Sequence, residues 1–326
     1  MITRQNTILD FLHGFHRKTR RRTFLEMMDS SVPWEEWLAL IRPYYYADYE
    51  GKVGRPPVDL ELILRMYLLQ VWFTLSDEGV EDEIYENASM AWFMGVNVAT
   101  DRAPDATTLL HFRHLLEKHG LAETMFSRLN ELLEQKGLMM RGGSIVDATI
   151  IAAPSSTKNK KNERDSEMHQ TRKGNQWYFG MKSHIGVDAG SGLVHTVVNT
   201  AANVSDVTRT GELMRDDDEV VYGDSGYTGA EKRPEIAGDE KKSRVTFRIN
   251  RRKGTVKAKW DKAIETQKSK VRCKVEHPFL LVKRYFGFCK LVYKGLKKNG
   301  SRLFSLFASA NILMCARAGR LGRSHA

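Results

Sequence analysis

The stretch GSIVDATIIAAP, residues 143–154, marks the point at which the pattern of the chain changes. Before it, apolar residues recur with helical spacing, whereas this short apolar run ending at a proline is typical of a buried strand. Asp147 stands inside the run, with apolar residues on both sides. A carboxylate in a buried strand is costly unless it is paired or binds a metal ion. The stretch therefore indicates both a sheet and a candidate site.

Four later segments also have the pattern of strands: WYFGMKSHIGVD (177–188), GLVHTVVNTAA (192–202), EVVYGDSGYTG (219–229) and SRVTFRIN (243–250). The turn DAGSG between the first two is a hairpin signal. Helical segments follow the third, fourth and fifth strands, which gives the order βββαβαβα. This order predicts a mixed five-stranded sheet with helices on its faces, the RNase H-like α+β layout, a likeness of fold that does not assign chemistry.

In this layout the first and fourth strands lie side by side at the centre of the sheet. Asp147 is in the first strand, Asp224 ends the fourth, and Glu276 follows on the next helix. Two ionised carboxylates at close range repel each other, and a divalent cation relieves that repulsion. We therefore predict that these three acids are catalytic and hold Mg²⁺ or Mn²⁺, with two ions per site for phosphoryl transfer.

Other acids compete for the second position, and each has an ordinary explanation. Asp188 lies in a hairpin turn, and Asp206 suits the cap of a helix. Residues 216–218 form an acidic run that is expected to be solvated. We rank Asp224 above all of them.

Residues 1–137 are predicted to be helical throughout. VDLELILRMYLLQVWFTLS (58–76) is apolar all round, which favours a central helix capped by Asp59. A later helix begins after Asp105 and ends at Gly120. Its first turns present side chains suited to reading a DNA groove, although an ordinary packing helix explains the pattern equally well. The candidates are Thr107, Thr108, His111 and Arg113.

The charge of the chain is distributed unevenly. Of 326 residues, 41% are hydrophobic and 28% charged, as in soluble globular proteins, and the net charge is +11. Residues 241–326 carry 24 Lys and Arg against three acids, a net charge of +21, which leaves −10 on residues 1–240. This asymmetry predicts a polyanionic partner for the carboxyl-terminal quarter, most plausibly nucleic acid.

Three cysteines do not suffice for a disulfide framework or a zinc site. The first 22 residues lack the pattern of a signal peptide, and the apolar run at 303–316 is too short to cross a bilayer. A cytoplasmic protein, associated with the bacterial nucleoid, is expected. The polar segment 156–176, with six Lys and Arg against three acids, is predicted to be a mobile loop or long hairpin that orders on DNA.

The stretch RCKVEHPFLLVKR (272–284) surrounds Glu276 with cations. On a helix, Arg272, Glu276 and Lys283 share one face, while Val275, Phe279 and Val282 pack toward the sheet. Pro278 either bends this helix or begins a new segment. The alternative is a solvated helix with an ordinary ion pair between residues 272 and 276.

The chain resembles the DDE transposases of bacterial insertion sequences, specifically the insertion-sequence-five group. The matching blocks are GRPPVDLELILRMYLLQVWFTLSD (54–77), PDATTLLHFRHLLE (104–117), VDATIIAAPSSTKN (146–159), HQTRKGNQWYFGMKSHIGVDAGSG (169–192), GDSGYTGA (223–230) and VEHPFLLVKRYFGF (275–288). Arg272, Glu276 and Lys283 match the family's Arg-(3)-Glu-(6)-Lys spacing. Ser269 stands where the family pattern often has Tyr.

The resemblance implies an enzyme that binds the terminal inverted repeats of its own element, cuts there and joins the 3′ hydroxyls to target DNA. Arg272, Lys283 and Arg284 are then expected to hold phosphates, and a dimer or larger assembly is expected on DNA. We predict a helical DNA-binding domain at 1–137, a catalytic domain at 138–316 and a basic tail at 317–326. A metal-dependent nuclease, or a DNA-binding regulator without catalysis, remains an alternative.

Overall fold

A computed structural model describes residues 18–47, 56–158, 162–252, 254–255 and 258–321. The chain forms two compact units: residues 1–129 with 308–326, and residues 130–307. We call them the helical unit and the sheet unit. The boundaries at 137 and 316, which divide the predicted DNA-binding domain, catalytic domain and basic tail, remain a prediction. The segment expected to lack a signal peptide, up to residue 17, and the end of the predicted basic tail, 322–326, lie outside the described residues.

The helical unit is built from amphipathic helices joined by short turns. They are α1 (Arg20–Ser31), α2 (Trp34–Ala47), α3 (Leu60–Phe73), α4 (Asp77–Glu86), α5 (Ala88–Met94), α6 (Ala106–His119) and α7 (Leu121–Gln135), whose last residues belong to the sheet unit. The predicted caps are confirmed: Asp59 accepts from Leu62 N at 3.1 Å, and Asp105 accepts from Thr108 N at 2.7 Å. Helix α6 ends at Gly120, whose φ of +65° lies in the left-handed region.

Helix α3 is the central helix of this unit, as its apolar composition predicts. Nearly every residue from Leu60 to Trp72 is buried. The buried set includes Arg65, so the sequence places a charge inside the helical core. Arg65 is neutralised there by Asp29, at 2.7 Å, and by Glu61, at 2.8 Å. Burial of a charge with hydrogen-bonded partners avoids most of the cost of desolvation.

The sheet unit contains six strands in its described residues, one more than predicted. They are β1 (Gly143–Ala152), β2 (His169–Lys173), β3 (Gln176–Asp188), β4 (Val194–Ala201), β5 (Val220–Gly223) and β6 (Thr246–Ile249). The hydrogen-bonded order is β2-β3-β1-β5-β6, and β4 also pairs with β3. Strand β1 is antiparallel to β3 and parallel to β5, and β5 is parallel to β6. The predicted mixed sheet, with the first predicted strand beside the fourth, is confirmed.

The additional strand, β2, lies in the polar segment 156–176. It pairs with the start of β3 in a hairpin whose turn contains Gly174, with a φ of +62°. Of the two interpretations of this segment, the long hairpin is the one observed. Residues 159–161 of the segment lie outside the described part of the chain.

Helices cover the sheet after β4. They are α8 (Thr210–Leu213), α9 (Pro234–Ala237), α10 (Lys259–Arg272), α11 (Glu276–Leu280) and α12 (Leu296–Arg317). A 3₁₀ turn (Cys273–Val275) separates α10 from α11, and a π-helical turn (Leu281–Tyr285) follows α11. Pro278 thus lies in the first turn of a new segment, where its missing N–H is tolerated. Helix α12 contributes its last residues, from Ala308, to the helical unit.

None of the described helices combines the length and the apolar character that a bilayer span requires.

Two acids differ from their predicted environments. Asp206 was expected to cap a helix, but its side chain makes no cap and instead lies 2.8 Å from Lys182 Nζ. Asp218 was expected to be solvated, yet it is buried beside Arg215, whose backbone N–H donates to it at 2.9 Å. The contact of Asp206 joins distant segments, whereas Arg215 is only three residues from Asp218 in the chain.

Candidate active site

Asp147 and Asp224 meet at the centre of the sheet because two parallel strands bring them to the same level. Ile145 of β1 pairs with Tyr222 of β5, so the next pair of residues on the same face is Asp147 and Asp224. The Oδ1 atom of Asp147 accepts from Ala148 N at 2.8 Å. Asp224 follows the last residue of β5, and its Oδ1 accepts from Gly226 N at 2.7 Å, which caps a short 3₁₀ turn. Backbone hydrogen bonds therefore orient both carboxylates.

Glu276 and Arg272 come to this point from the helical segment above the sheet. Arg272 Nη1 lies 3.2 Å from Asp147 Oδ2 and 3.6 Å from Glu276 Oε1. The Glu276 side chain is 61% exposed, whereas that of Asp147 is 18% exposed. One guanidinium group thus contacts a buried acid of the sheet and an exposed acid of α11.

These side chains line one open groove of about 690 Å³. Its walls carry both signs of charge, which are the three predicted carboxylates and a set of cations around them. The lining residues include Asp147, Asp224, Glu276, Arg272, Lys283, Arg284, Lys173, Thr149 and His277. All of the predicted acids, and all three cations predicted near the carboxyl terminus, therefore lie on the same groove.

The environment of Asp147 disfavours its charge. Burial, which is the largest cause, and the carboxylates of Asp224 and Glu276 together raise its pKa to about 7. The hydrogen bond from Ala148 N and the charge of Arg272 act in the opposite direction but do not offset burial. Burial, and not the count of charges in the groove, is therefore the main reason that the ionised form of Asp147 is costly.

A divalent cation would stabilise the ionised form of Asp147. Carboxylate oxygens are the ligands that Mg²⁺ and Mn²⁺ prefer, and two of the three acids already sit at adjacent strand positions. In the described part of the chain, no three His, Cys, Asp or Glu side chains stand together at metal-ligand spacing. The chemistry of the donors matches such an ion, while Arg272 is the positive charge that contacts two of them.

The predicted basic helix is present but not continuous. Val275, Phe279 and Val282 are buried, which confirms the face predicted to pack inward. Lys283 lines the groove, and its Nζ donates to Ile150 O of β1 at 2.8 Å. Burial lowers the pKa of Lys283, and the charge of Lys173 lowers it further. Two ammonium groups therefore face the same part of the groove.

The side chains of α6 that were predicted to contact DNA differ in their exposure to solvent. Thr107 and His111 are exposed, and Thr108 is half-buried. Arg113 is buried, and both of its terminal nitrogens donate to Asp77, one of them at 3.1 Å. Arg113 was predicted to contact DNA. Its guanidinium is instead part of the helical core, because the face of α6 that carries it packs inward.

Sequence reasoning missed two side chains of the groove, Lys173 and Thr149. Thr149 is two residues after Asp147, and strand periodicity alone places it on the same face. Lys173 is the last residue of β2, before the Gly174–Asn175 turn. Gly-Asn between two candidate strands is a hairpin signal that could have found it.

The fold and this groove define an RNase H-like protein with one acid inside its central strand β1 and a second directly after the neighbouring strand β5. Comparison with known families agrees. The model described as Transposase DDE domain matches residues 139–312, more than half of the chain, and Transposase domain (DUF772) matches residues 14–115. No solved structure matches the chain. The protein belongs to the DDE transposase family.

Proposed function

We propose that this transposase, of the insertion-sequence-five group, binds the terminal inverted repeats of its element, cleaves the DNA there and joins the freed 3′ hydroxyls to target DNA. One observation carries the proposal. Asp147, Asp224 and Glu276 line a single groove together with the cations Arg272, Lys283 and Arg284. Acids that bind a divalent ion, beside cations that bind phosphate, are what phosphoryl transfer on a polyanion requires.

In the proposed mechanism Asp147, Asp224 and Glu276 hold two Mg²⁺ or Mn²⁺ ions. When bound, such ions make water or a 3′ hydroxyl a stronger nucleophile and stabilise the leaving oxygen. The chain itself supplies position and charge. Its ammonium and guanidinium groups hold the phosphates on either side of the scissile bond, and backbone hydrogen bonds to Asp147 and Asp224 keep both carboxylates in place.

In the same proposal the helical unit reads the element's end sequence. The exposed side chains of Thr107 and His111, with Thr108 beside them, suit contacts to base edges. Arg113 is left out, because its charge is satisfied within the core. Because two element ends must be processed together, a dimer or larger assembly on DNA is part of the proposal.

The test uses the full-length protein and linear DNA that carries the element's end, in Mg²⁺. Asp147→Asn and Asp224→Asn keep the side-chain shape but remove the charge that holds the ion. We expect each to lower the cleavage rate at least about a hundredfold while DNA binding is retained, because loss of one ligand removes several kcal/mol of charge stabilisation. Asp216→Asn is the matched control, since this exposed acid of the same unit pairs with the exposed Lys241.

Near-normal cleavage by either active-site variant would refute the site assignment. The products also separate the alternatives. Cleaved ends that never appear joined to target DNA would indicate a nuclease. Sequence-specific binding by the wild-type protein without cleavage would indicate a regulator.

A further inference from the structure

The hairpin beside the groove has little core of its own. It consists of β2, the turn at Gly174 and Asn175, and the start of β3 up to Phe179; we call it the basic hairpin. Every residue of β2 is exposed or half-buried, as are residues 176–179. An isolated two-stranded hairpin is marginally stable in water. Here the strand continues into the buried part of β3, from Gly180 onward, so the core of the sheet holds the exposed hairpin in position.

The hairpin presents a large aromatic ring to solvent. Trp177 is 63% exposed, although a tryptophan contributes most when it is buried. Its partner across the strands is Arg172. The guanidinium of Arg172 donates to Gly174 O at 3.0 Å and to Asn175 Oδ1 at 3.3 Å, which fixes the turn. Trp177 therefore stands on a pre-organised support.

The charge of the hairpin suits an anionic partner. Residues 168–187 contain no Asp or Glu, while the hairpin carries Arg172 and Lys173. Lys173 also lines the groove that holds the three acids. Its charge acts on Lys283 across the groove. Lys173 and Lys283 both line this groove, and an anion such as a phosphate would offset the repulsion between their charges.

We propose that the basic hairpin is a DNA-binding element that extends the catalytic groove and stacks an unpaired nucleobase on Trp177. The inference rests on the proposed function, because it names the part of the DNA substrate held beside the site. Lys173 and Lys283 bind the phosphate, and the indole ring, which lies on the sheet face that carries Asp147, takes a base of the same DNA strand. Every base has a π-face, so this contact tolerates any sequence.

The base must be unpaired, because within a duplex both of its faces are covered by neighbouring bases. A frayed or processed DNA end supplies such a base. A second copy of the chain is the other occupant that an exposed tryptophan could serve. The absence of acids from residues 168–187 and the continuity with the groove through Lys173 favour DNA.

The experiment measures DNA affinity of the full-length protein by fluorescence anisotropy, with Ca²⁺ in place of Mg²⁺ to slow cleavage. Two probes carry the same element end: one is fully paired and the other has a short unpaired terminal extension. We expect the wild-type protein to prefer the extended probe. Trp177→Ala should weaken binding of that probe at least about fivefold and leave the paired probe nearly unchanged, whereas Trp177→Phe should keep most of the preference.

Trp260→Ala is the matched control. This residue is the other strongly exposed tryptophan, 68% exposed on α10, and its removal should leave the preference intact. An unchanged preference in Trp177→Ala, or an equal loss on both probes, would overturn the proposal. A change of oligomeric state of Trp177→Ala in light scattering, without a change in its DNA preference, would also overturn the proposal. The hairpin would then bind a second copy of the chain. Cleavage by Asp147→Asn tests the proposed function, whereas the probe preference of Trp177→Ala tests the basic hairpin. Either proposal can therefore fail without the other.

Discussion

The helical unit and the sheet unit both bury charge, but they balance it differently. Arg65, at the centre of the helical unit, is 6% exposed, and its guanidinium contacts Asp29, Glu61 and the carbonyl of Phe93. Asp147, at the centre of the sheet, has one backbone N–H and one guanidinium nitrogen as partners, and two further carboxylates nearby. The first charge is compensated within the chain and the second is not.

This difference separates scaffold from site. A buried ion pair with complete hydrogen bonding needs no bound ligand to stabilise its charges. Asp147, whose pKa is raised to about 7, is different, because a bound cation can still stabilise its ionised form. Arg113 belongs to the first class, with Asp77 as its partner. By this comparison Arg113 supports the fold, whereas Asp147 is the candidate for chemistry on DNA.

The largest expected effect breaks the balanced side of the comparison. Arg65→Met removes the cation that both Asp29 and Glu61 contact, and the Glu61 side chain is deeply buried. We expect the free energy of unfolding to fall by about 3–5 kcal/mol, as for other broken buried pairs. Urea unfolding measures it.

Arg128→Met is the matched control for this variant. Arg128 pairs with Glu36 at 2.9 Å near the surface of the same unit, and such pairs contribute about 0–1 kcal/mol. A cost for Arg65→Met no larger than that of the control would mean that the helical unit does not depend on its internal charge balance.

The second prediction concerns the unbalanced side and is a gain of stability. The pKa of Asp147 is about 7 in the folded protein, above the ordinary value of 3.8. Between these two pH values the folded state holds a proton that the unfolded state has released. The free energy of unfolding therefore falls as the pH rises through this window, by at most about 4 kcal/mol. Asp147→Asn cannot ionise and escapes this loss.

We expect Asp147→Asn to be more stable than the wild-type protein at pH 8 in EDTA, and the difference to shrink toward pH 4. Denaturant unfolding of both proteins at the two pH values checks the sign, with Asp216→Asn as the exposed control. A difference that is the same at both pH values would show that the charge of Asp147 is compensated in the fold. The comparison with Arg65 would then fail.

The two active-site aspartates and Arg113 show how much the sequence could predict. Asp147 and Asp224 followed from strand order, since parallel pairing brings equivalent positions of neighbouring strands to one level. The burial of Arg113 was also readable, because it shares the core face of α6 with Leu109, Phe112 and Leu116 at helical spacing. The residue type suggested DNA, and the periodicity, which was the stronger signal, indicated packing.

The remaining differences depend on contacts that the local sequence does not contain. Asp218 ends an acidic run, and besides the nearby Arg215 it has a hydrogen bond from Ser144 of β1, far away in the sequence. Strand β2 escaped prediction because both of its faces are exposed, so it lacks the apolar alternation that marks a half-buried strand. Its evidence lay in the turn, since a hairpin exposed to solvent is encoded mainly by its turn residues.

The smallest expected effect on stability tests the comparison most sharply, because it separates folding from chemistry at one residue. Glu276 is 61% exposed, and its contact with Arg272 is 3.6 Å, longer than the 3.2 Å between Arg272 and Asp147. As an ordinary ion pair four residues apart it contributes about 0.2–0.5 kcal/mol. Glu276→Gln should therefore leave the melting temperature within about two degrees of the wild-type value, yet abolish Mg²⁺-dependent cleavage, because one of three metal ligands is lost. Lys270→Gln, on the neighbouring turn of α10, is the control for a change of charge. If Glu276→Gln still cleaves, residues 272–284 form an ordinary basic segment, and the unbalanced charge of the sheet unit is confined to Asp147 and Asp224.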